Sequence, residues 1–173
     1  KFPKSSYTGK IMLNLAQESE KQNDIEMAQK QYEEFYKRFP EDKEAKKALY
    51  NAAVYAELLE YNKLALKLYD TYLAAAKPSQ KETRAIEISK AKIYRTDKQL
   101  DKAAALYFKL AKDSSSVSER LDILGELARH YEQAGLSAKK DGVAEEIKKI
   151  VSNNKKVKPT GNAAFYLAES SFK

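Results

Sequence analysis

Apolar and small residues recur along this chain at helical rather than strand spacing, and one stretch of the pattern returns three times. The segments IEMAQKQYEEF, NKLALKLYDTY and LDKAAALYFKL each set an alanine, Ala28, Ala65 or Ala103, four places ahead of a tyrosine, Tyr32, Tyr69 or Tyr107. The alanines stand 37 and 38 residues apart. Self-similarity at that period predicts stacked helical hairpins that bury a continuous core and present one long surface. Breaks fall where helices should stop, at Pro40, Pro78, the serines Ser114, Ser115 and Ser116, and Pro159. Proline restricts the residue before it and cannot donate to a helical ladder. Tighter turns lie inside the hairpins, at Gln22-Asn23-Asp24, Glu60-Tyr61-Asn62, Asp97-Lys98-Gln99 and Ala134-Gly135-Leu136, where Asn, Asp and Gly cap or reverse a helix.

This punctuation predicts nine helices, at about 5–22, 24–39, 42–59, 61–76, 79–96, 99–112, 117–134, 137–152 and 160–172. The helix at 61–76 is apolar nearly all round and needs neighbours on several sides. The helix at 79–96 is the least regular, because Ile86, Ile88, Ala91, Ile93 and Tyr94 do not form one stripe. Composition narrows the class. Hydrophobic residues make up 43% and charged residues 33% of the 173, which excludes a disordered tail and a membrane bundle. Five glycines and four prolines are few for a chain of this length. The expectation is an all-α protein.

The segments resemble tetratricopeptide (TPR) repeats, whose unit of about 34 residues is a pair of antiparallel helices. The first repeat reads Met12, Leu15, Ala16, Ile25, Ala28, Tyr32, Phe35 and Pro40 at the signature positions. The second reads Leu49, Ala52, Ala53, Ala65, Tyr69 and Tyr72, with Pro78 one place late. The third keeps Ala91, Tyr94, Leu100, Ala103, Tyr107 and Leu110 but has Glu87 and Lys90 where apolar residues are expected. The fourth keeps Leu124, Leu127, Ala128, Tyr131 and Gly135 and puts Lys140 where a small residue belongs; NAAFYLAESSFK is similar to a lone first helix of a fifth. The resemblance implies a right-handed α-solenoid of about four and a half repeats in one domain over 1–173, at approximately 5–40, 42–78, 79–116, 117–158 and 160–173.

Chemistry is sparse. There is no cysteine and one histidine, His130, so thiolate chemistry and a zinc site are excluded. Nothing around His130 supplies the nucleophile and orienting acid of a catalytic triad, and it reads as a polar position on a helix. The glycines are too scattered for a phosphate-cradling loop. Neither an enzyme nor a cofactor is expected.

What remains is surface, and the resemblance implies a concave groove lined by the first helices of successive pairs. By register that groove takes Leu13, Gln17, Tyr50, Val54, Glu57, Leu58, Lys92, Arg95, Arg129 and Gln133. A protein or peptide partner is implied, with Lys92, Arg95 and Arg129 favouring an acidic one. Packing of Tyr50 and Val54 against the next hairpin is the structural alternative. The lysine and asparagine set that clamps a terminal carboxylate in chaperone-binding TPR domains is not reproduced, since Leu13 and Gln17 occupy two of its positions.

The net charge of +7 is spread along the chain except for Lys148, Lys149, Lys155, Lys156 and Lys158. Nucleic-acid binding through that cluster is the alternative function, and self-association through Phe165, Leu167 and Phe172 of the half repeat is a further one. The chain begins at Lys1, and Phe2-Pro3 repeats the Phe39-Pro40 that closes a repeat, so a piece of a longer protein is expected. The linker style resembles TPR proteins of bacterial cell envelopes and implies a periplasmic or envelope location, with the cytoplasm as the alternative. No stretch approaches the ~18 apolar residues of a spanning helix.

Overall fold

The computed structural model describes residues 6–171, and side chains from 7 to 170. Lys1, Phe2-Pro3, Ser5 and Phe172 therefore lie outside the described residues. The described residues form nine helices and no strand: α1 (Ser6–Lys21), α2 (Ile25–Arg38), α3 (Ala45–Leu58), α4 (Asn62–Ala76), α5 (Gln80–Thr96), α6 (Leu100–Lys112), α7 (Val117–Gln133), α8 (Ser137–Asn153) and α9 (Gly161–Ser171). These match the predicted elements to within three residues. The largest difference is the start of α3. Asp42 accepts a hydrogen bond from the Glu44 amide through its side chain and one from the Ala45 amide through its carbonyl. This local turn postpones the helix, as aspartate does where it competes for backbone donors.

The chain divides into two compact units, Lys1–Ile86 and Glu87–Lys173, and the division falls inside α5. In the first unit α3 packs on both α2 and α4. It can do so because Ala45, Ala48, Ala52, Ala53 and Ala56 are all buried around Leu49. Methyl side chains let helix axes approach closely, and the larger Tyr32, Phe35, Tyr69 and Tyr72 fill the adjoining grooves. The alanines of the repeating pattern, Ala28 and Ala65, are fully buried. Ala65→Leu should overpack its crossing and cost about 1–3 kcal/mol in a urea melt; an undiminished midpoint would refute the register. Leu15 holds a signature position of the first repeat but is not buried. It is 53% exposed, because no described element covers the face of α1 that carries Tyr7, Ile11 and Leu15.

In the second unit a core built on Ala91, Ala103, Leu124, Leu127, Tyr131, Ile147 and Tyr166 joins residues of α5 through α9. The three charged residues that break the repeat pattern find distinct solutions. Glu87 is buried and takes an ion pair from Lys109 of α6. Lys90 is half-buried. Lys140, only 7% exposed, lays its stem in the small-residue site and sends Nζ to Glu169 of α9 at 2.7 Å. A long aliphatic stem with a charged tip fills such a site if the tip finds a carboxylate. Helix α9 is thereby held to α8. Its Leu167 packs partly against the core, so of the three residues proposed for self-association only Phe165 is exposed among the described ones.

All four hairpin turns share one geometry. Asn23, Glu60, Lys98 and Gly135 have φ of 60°, 58°, 58° and 70°. Each following amide, of Asp24, Tyr61, Gln99 and Leu136, donates five residues back to a carbonyl of the preceding helix. This left-handed closure with paired backward hydrogen bonds is the Schellman motif. It brings the last turn of one helix and the start of the next to the same place in every hairpin, and the candidate site is built at that place.

Candidate functional site

Tyr32 Oη donates to Glu20 Oε2 at 2.5 Å, and Tyr69 Oη donates to Glu57 Oε2 at 2.5 Å. Both pairs span twelve residues, from the tyrosine of the second helix back to an acid in the last turn of the first. Burial, reinforced by Glu20, drives the Tyr32 phenol far above its ordinary value, so it remains a donor. In the third hairpin the tyrosine is Tyr107 and the residue twelve places earlier is Arg95. A guanidinium has no acceptor, so Tyr107 cannot donate to it as the other tyrosines donate to their acids. Tyr107 Oη lies instead 3.3 Å from Nε2 of His130. In the fourth hairpin the acid returns as Glu132, which accepts from Tyr166 of α9 at 2.6 Å.

Arg95 thus faces the one histidine of the chain. Its Nη1 is 3.4 Å from His130 Nε2, and since arginine can only donate, Nε2 is the acceptor and the ring is neutral. The ring hydrogen then sits on Nδ1, which is buried without a hydrogen-bond partner. His130 is 4% exposed. Burial chiefly, then the charges of Arg95 and Arg129, hold its pKa below the usual 6.5, against Glu126 and Gln133. Around it opens a pocket of about 480 Å³ lined by Arg95, Lys98, Leu100, His130, Gln133 and Ala134. Arg38, Arg120 and Arg129 each hold a carboxylate, whereas among the described residues none pairs with Arg95. A half-buried cation left unneutralised at the wall of a pocket attracts an anion.

The histidine also gives this unit a pH response of definite sign. A group whose folded pKa is depressed contributes its full stability above the ordinary value of 6.5 and loses it as pH falls through the folded value. Unfolding midpoints of the second unit should therefore fall between about pH 7 and pH 5, and His130→Gln should remove that part of the slope. A midpoint that rises on acidification over that range would contradict the assignment.

Arg95 and Gln133 of the expected groove do line this pocket. Lys92 is exposed outside its lining. Arg129 is half-buried and its guanidinium is held by Glu126 at 2.5 Å, so its charge is already answered. In the first unit Leu13 and Gln17 line a groove of about 500 Å³ together with Glu20, Lys21, Glu44, Lys47 and Asn51. Tyr50, Val54, Glu57 and Leu58 are not among its lining residues. Tyr50 packs its ring on Tyr69 and Tyr72 of its own hairpin, centroids 6.5 and 5.2 Å away. Val54 is half-buried, Glu57 is engaged by Tyr69, and Leu58 is 64% exposed at the end of α3. Of the lysine cluster, Lys148 pairs with Glu145 at 3.4 Å, and Lys149, Lys155, Lys156 and Lys158 are exposed. The described residues contain no group of His, Cys, Asp and Glu that could hold a metal ion. No described helix is long and apolar enough to cross a membrane.

No protein-family model matches the sequence, and no curated protein matches it. Solved structures do. The nearly identical TPR-like repeats of a kinesin light chain-like protein of Podosopora anserina align over 91% of this chain and 81% of theirs, with a TM-score of 0.60 at 16% identity. A single-substitution variant of that protein aligns over 90% and 80%, at 0.59 and 15%. BtubC of P. vanneervenii aligns over 88% of this chain and 66% of its own, at 0.55 and 15%. The fold is TPR-like. Its all-α array of antiparallel helix pairs is the one the alanine and tyrosine spacing implies.

Within a TPR-like chain the third repeat is the exception at the site. His130, Lys98, Leu100 and Ala134 were absent from the residues inferred by register, which took first-helix faces alone and passed over the hairpin turn. A signal was present in the sequence. Glu20, Glu57 and Glu132 each stand twelve places before the second-helix position of their repeat, and Arg95 is the one member of opposite sign.

Proposed function

We propose that this chain is a non-catalytic protein-interaction scaffold whose second unit receives an acidic segment of its partner at Arg95. The TPR-like fold supports a scaffold in general, and the charge inversion at Arg95 carries the preference for acid. Lys98 and the exposed Lys92 add positive charge beside it, and Leu100 and Ala134 give the pocket an apolar wall. A surface of this kind binds by complementary charge at the rim and contact area at the centre. An envelope location belongs to the same reading and rests on the linker style of the segment that begins at Phe2-Pro3; fractionation of the source cell tests it.

The test of the binding is direct. A labelled oligo-aspartate peptide, an oligo-lysine peptide and a single-stranded oligonucleotide are titrated against the protein by fluorescence anisotropy over a range of salt. Saturable binding of the oligo-aspartate alone is the expected result. Oligonucleotide binding that falls steeply with salt, with no response to oligo-aspartate, would transfer the function to the lysines at 148–158.

A further inference from the structure

The pocket contains more than positive charge, because its cation leans on a neutral, buried histidine. We propose that the Arg95 pocket is a proton-linked carboxylate subsite: one carboxylate of the partner draws Arg95 off His130, and the freed imidazole takes up a proton from solvent. The inference rests on the acidic-partner reading given above and adds its regulation by pH.

The geometry supplies each step. In the pocket Arg95 Nη1 and Tyr107 Oη both approach His130 Nε2, at 3.4 and 3.3 Å. A carboxylate beside Arg95 offers the guanidinium a charged acceptor, and charge-assisted hydrogen bonds of that kind outcompete one to a neutral ring nitrogen. With Arg95 turned to the ligand, Nε2 loses its fixed donor. A proton from solvent then binds Nε2, and the new N–H donates a hydrogen bond to the Tyr107 hydroxyl oxygen, whose own hydrogen turns away. Nδ1 already carries the ring's other hydrogen, so the new proton enters at Nε2 alone. Charge balances as well, since the added proton answers the added carboxylate.

The groups around His130 divide over its protonation, with burial, Arg95 and Arg129 against it and Glu126 and Gln133 for it. From α5 comes Arg95, with Lys98 in the turn after it, and from α6 comes Tyr107. From α7 itself come Glu126 at 3.9 Å, Arg129 and Gln133, and α9 contributes Asn162, which holds Glu126 at 2.6 Å. The net field without a ligand opposes protonation, so the ring is poised to respond when an anion arrives. No other side chain has an unperturbed titration in the same range, and because His130 is the single histidine its signal needs no assignment.

The imidazole C–H resonances are followed by proton NMR from about pH 8 to pH 5, with and without saturating oligo-aspartate, whose carboxylates stay ionised over most of that range. The same peptide is titrated at each pH with the wild-type chain and with His130→Gln. The expected result is a titration midpoint that moves upward in the complex by about one unit, and an affinity that strengthens by up to about tenfold per pH unit on acidification. His130→Gln should bind with an affinity that does not change with pH. Oligo-aspartate binding with an unmoved midpoint and flat affinity would overturn the proton linkage and leave the acidic-partner reading standing. Absence of binding at every pH would overturn both. Should His130→Gln fail to fold, as judged by its thermal transition, the wild-type NMR shift decides alone.

Discussion

Arg95→Glu should abolish the grip on an acidic peptide while leaving the fold intact or tighter. The substitution removes the unpaired guanidinium and puts a carboxylate where the ligand's own would sit. Reversal of a charge at a partly buried contact costs about 2 kcal/mol or more, roughly thirtyfold in affinity. The same change restores the rule followed elsewhere in the chain. A carboxylate twelve residues before Tyr107 can accept its hydroxyl as Glu20 accepts from Tyr32 and Glu57 from Tyr69. It also sits beside His130 with the opposite sign, so the imidazole pKa rises and the acid-side loss of stability shrinks or reverses. Arg129→Gln is the matched control. Its guanidinium is already held by Glu126, and little binding should be lost. Anisotropy titrations and urea melts of the two variants read both effects. An Arg95→Glu protein that binds oligo-aspartate as well as the wild type does would remove the pocket from consideration.

How much of this was legible beforehand follows from which interactions are periodic. Helix positions and the buried alanines are written into the spacing because each repeat solves the same packing problem with the same small residue at a crossing. The predicted boundaries hold because proline breaks and local turns mark helix ends through the backbone, with Asn23 and Gly135 suited to the left-handed closure and Glu60 and Lys98 adopting it as well. The site was less legible because it depends on exceptions. Register alone placed Tyr50 and Glu57 on a binding face, yet both turn to tyrosines of α4, a contact set by how α3 and α4 cross. Register also offers Arg129, but Glu126, three places before it, holds its guanidinium. His130 read as an ordinary polar position, since only folding brings the turn after α5 and the tyrosine of α6 against α7. Lys140 looked like a packing fault in its repeat. Its solution depends on Glu169, twenty-nine residues away on α9.

Helix α9 makes the second large expectation. Gly125→Ala should destabilise the second unit, although alanine is the better helix former. A Cβ at Gly125 would lie 2.5 Å from the Ala163 backbone nitrogen, 3.0 Å from the Asn162 carbonyl carbon and 3.1 Å from the Ala163 Cα. These are backbone atoms at the start of α9 and cannot rotate aside. Ordinary contact needs about 3.5 Å, so α9 must move by about 1 Å. Three hydrogen bonds hang on its place: Tyr166 to Glu132 at 2.6 Å, Asn162 to Glu126 at 2.6 Å and Lys140 to Glu169 at 2.7 Å. Overpacking of this kind costs about 1–3 kcal/mol, and each weakened hydrogen bond adds up to about 1 kcal/mol. Against this stands a propensity gain of about 1 kcal/mol from removing a helical glycine. The expected net is a loss of about 2 kcal/mol, with faster amide exchange concentrated in α9. Gly142→Ala tests the same chemistry with the opposite sign. Gly142 lies in α8 with nothing within 4 Å of its would-be Cβ, so the propensity gain stands unopposed and the urea midpoint should rise. If both substitutions raise the midpoint and α9 keeps its protection, then the close approach of α7 and α9 does not hold the end of this chain in place.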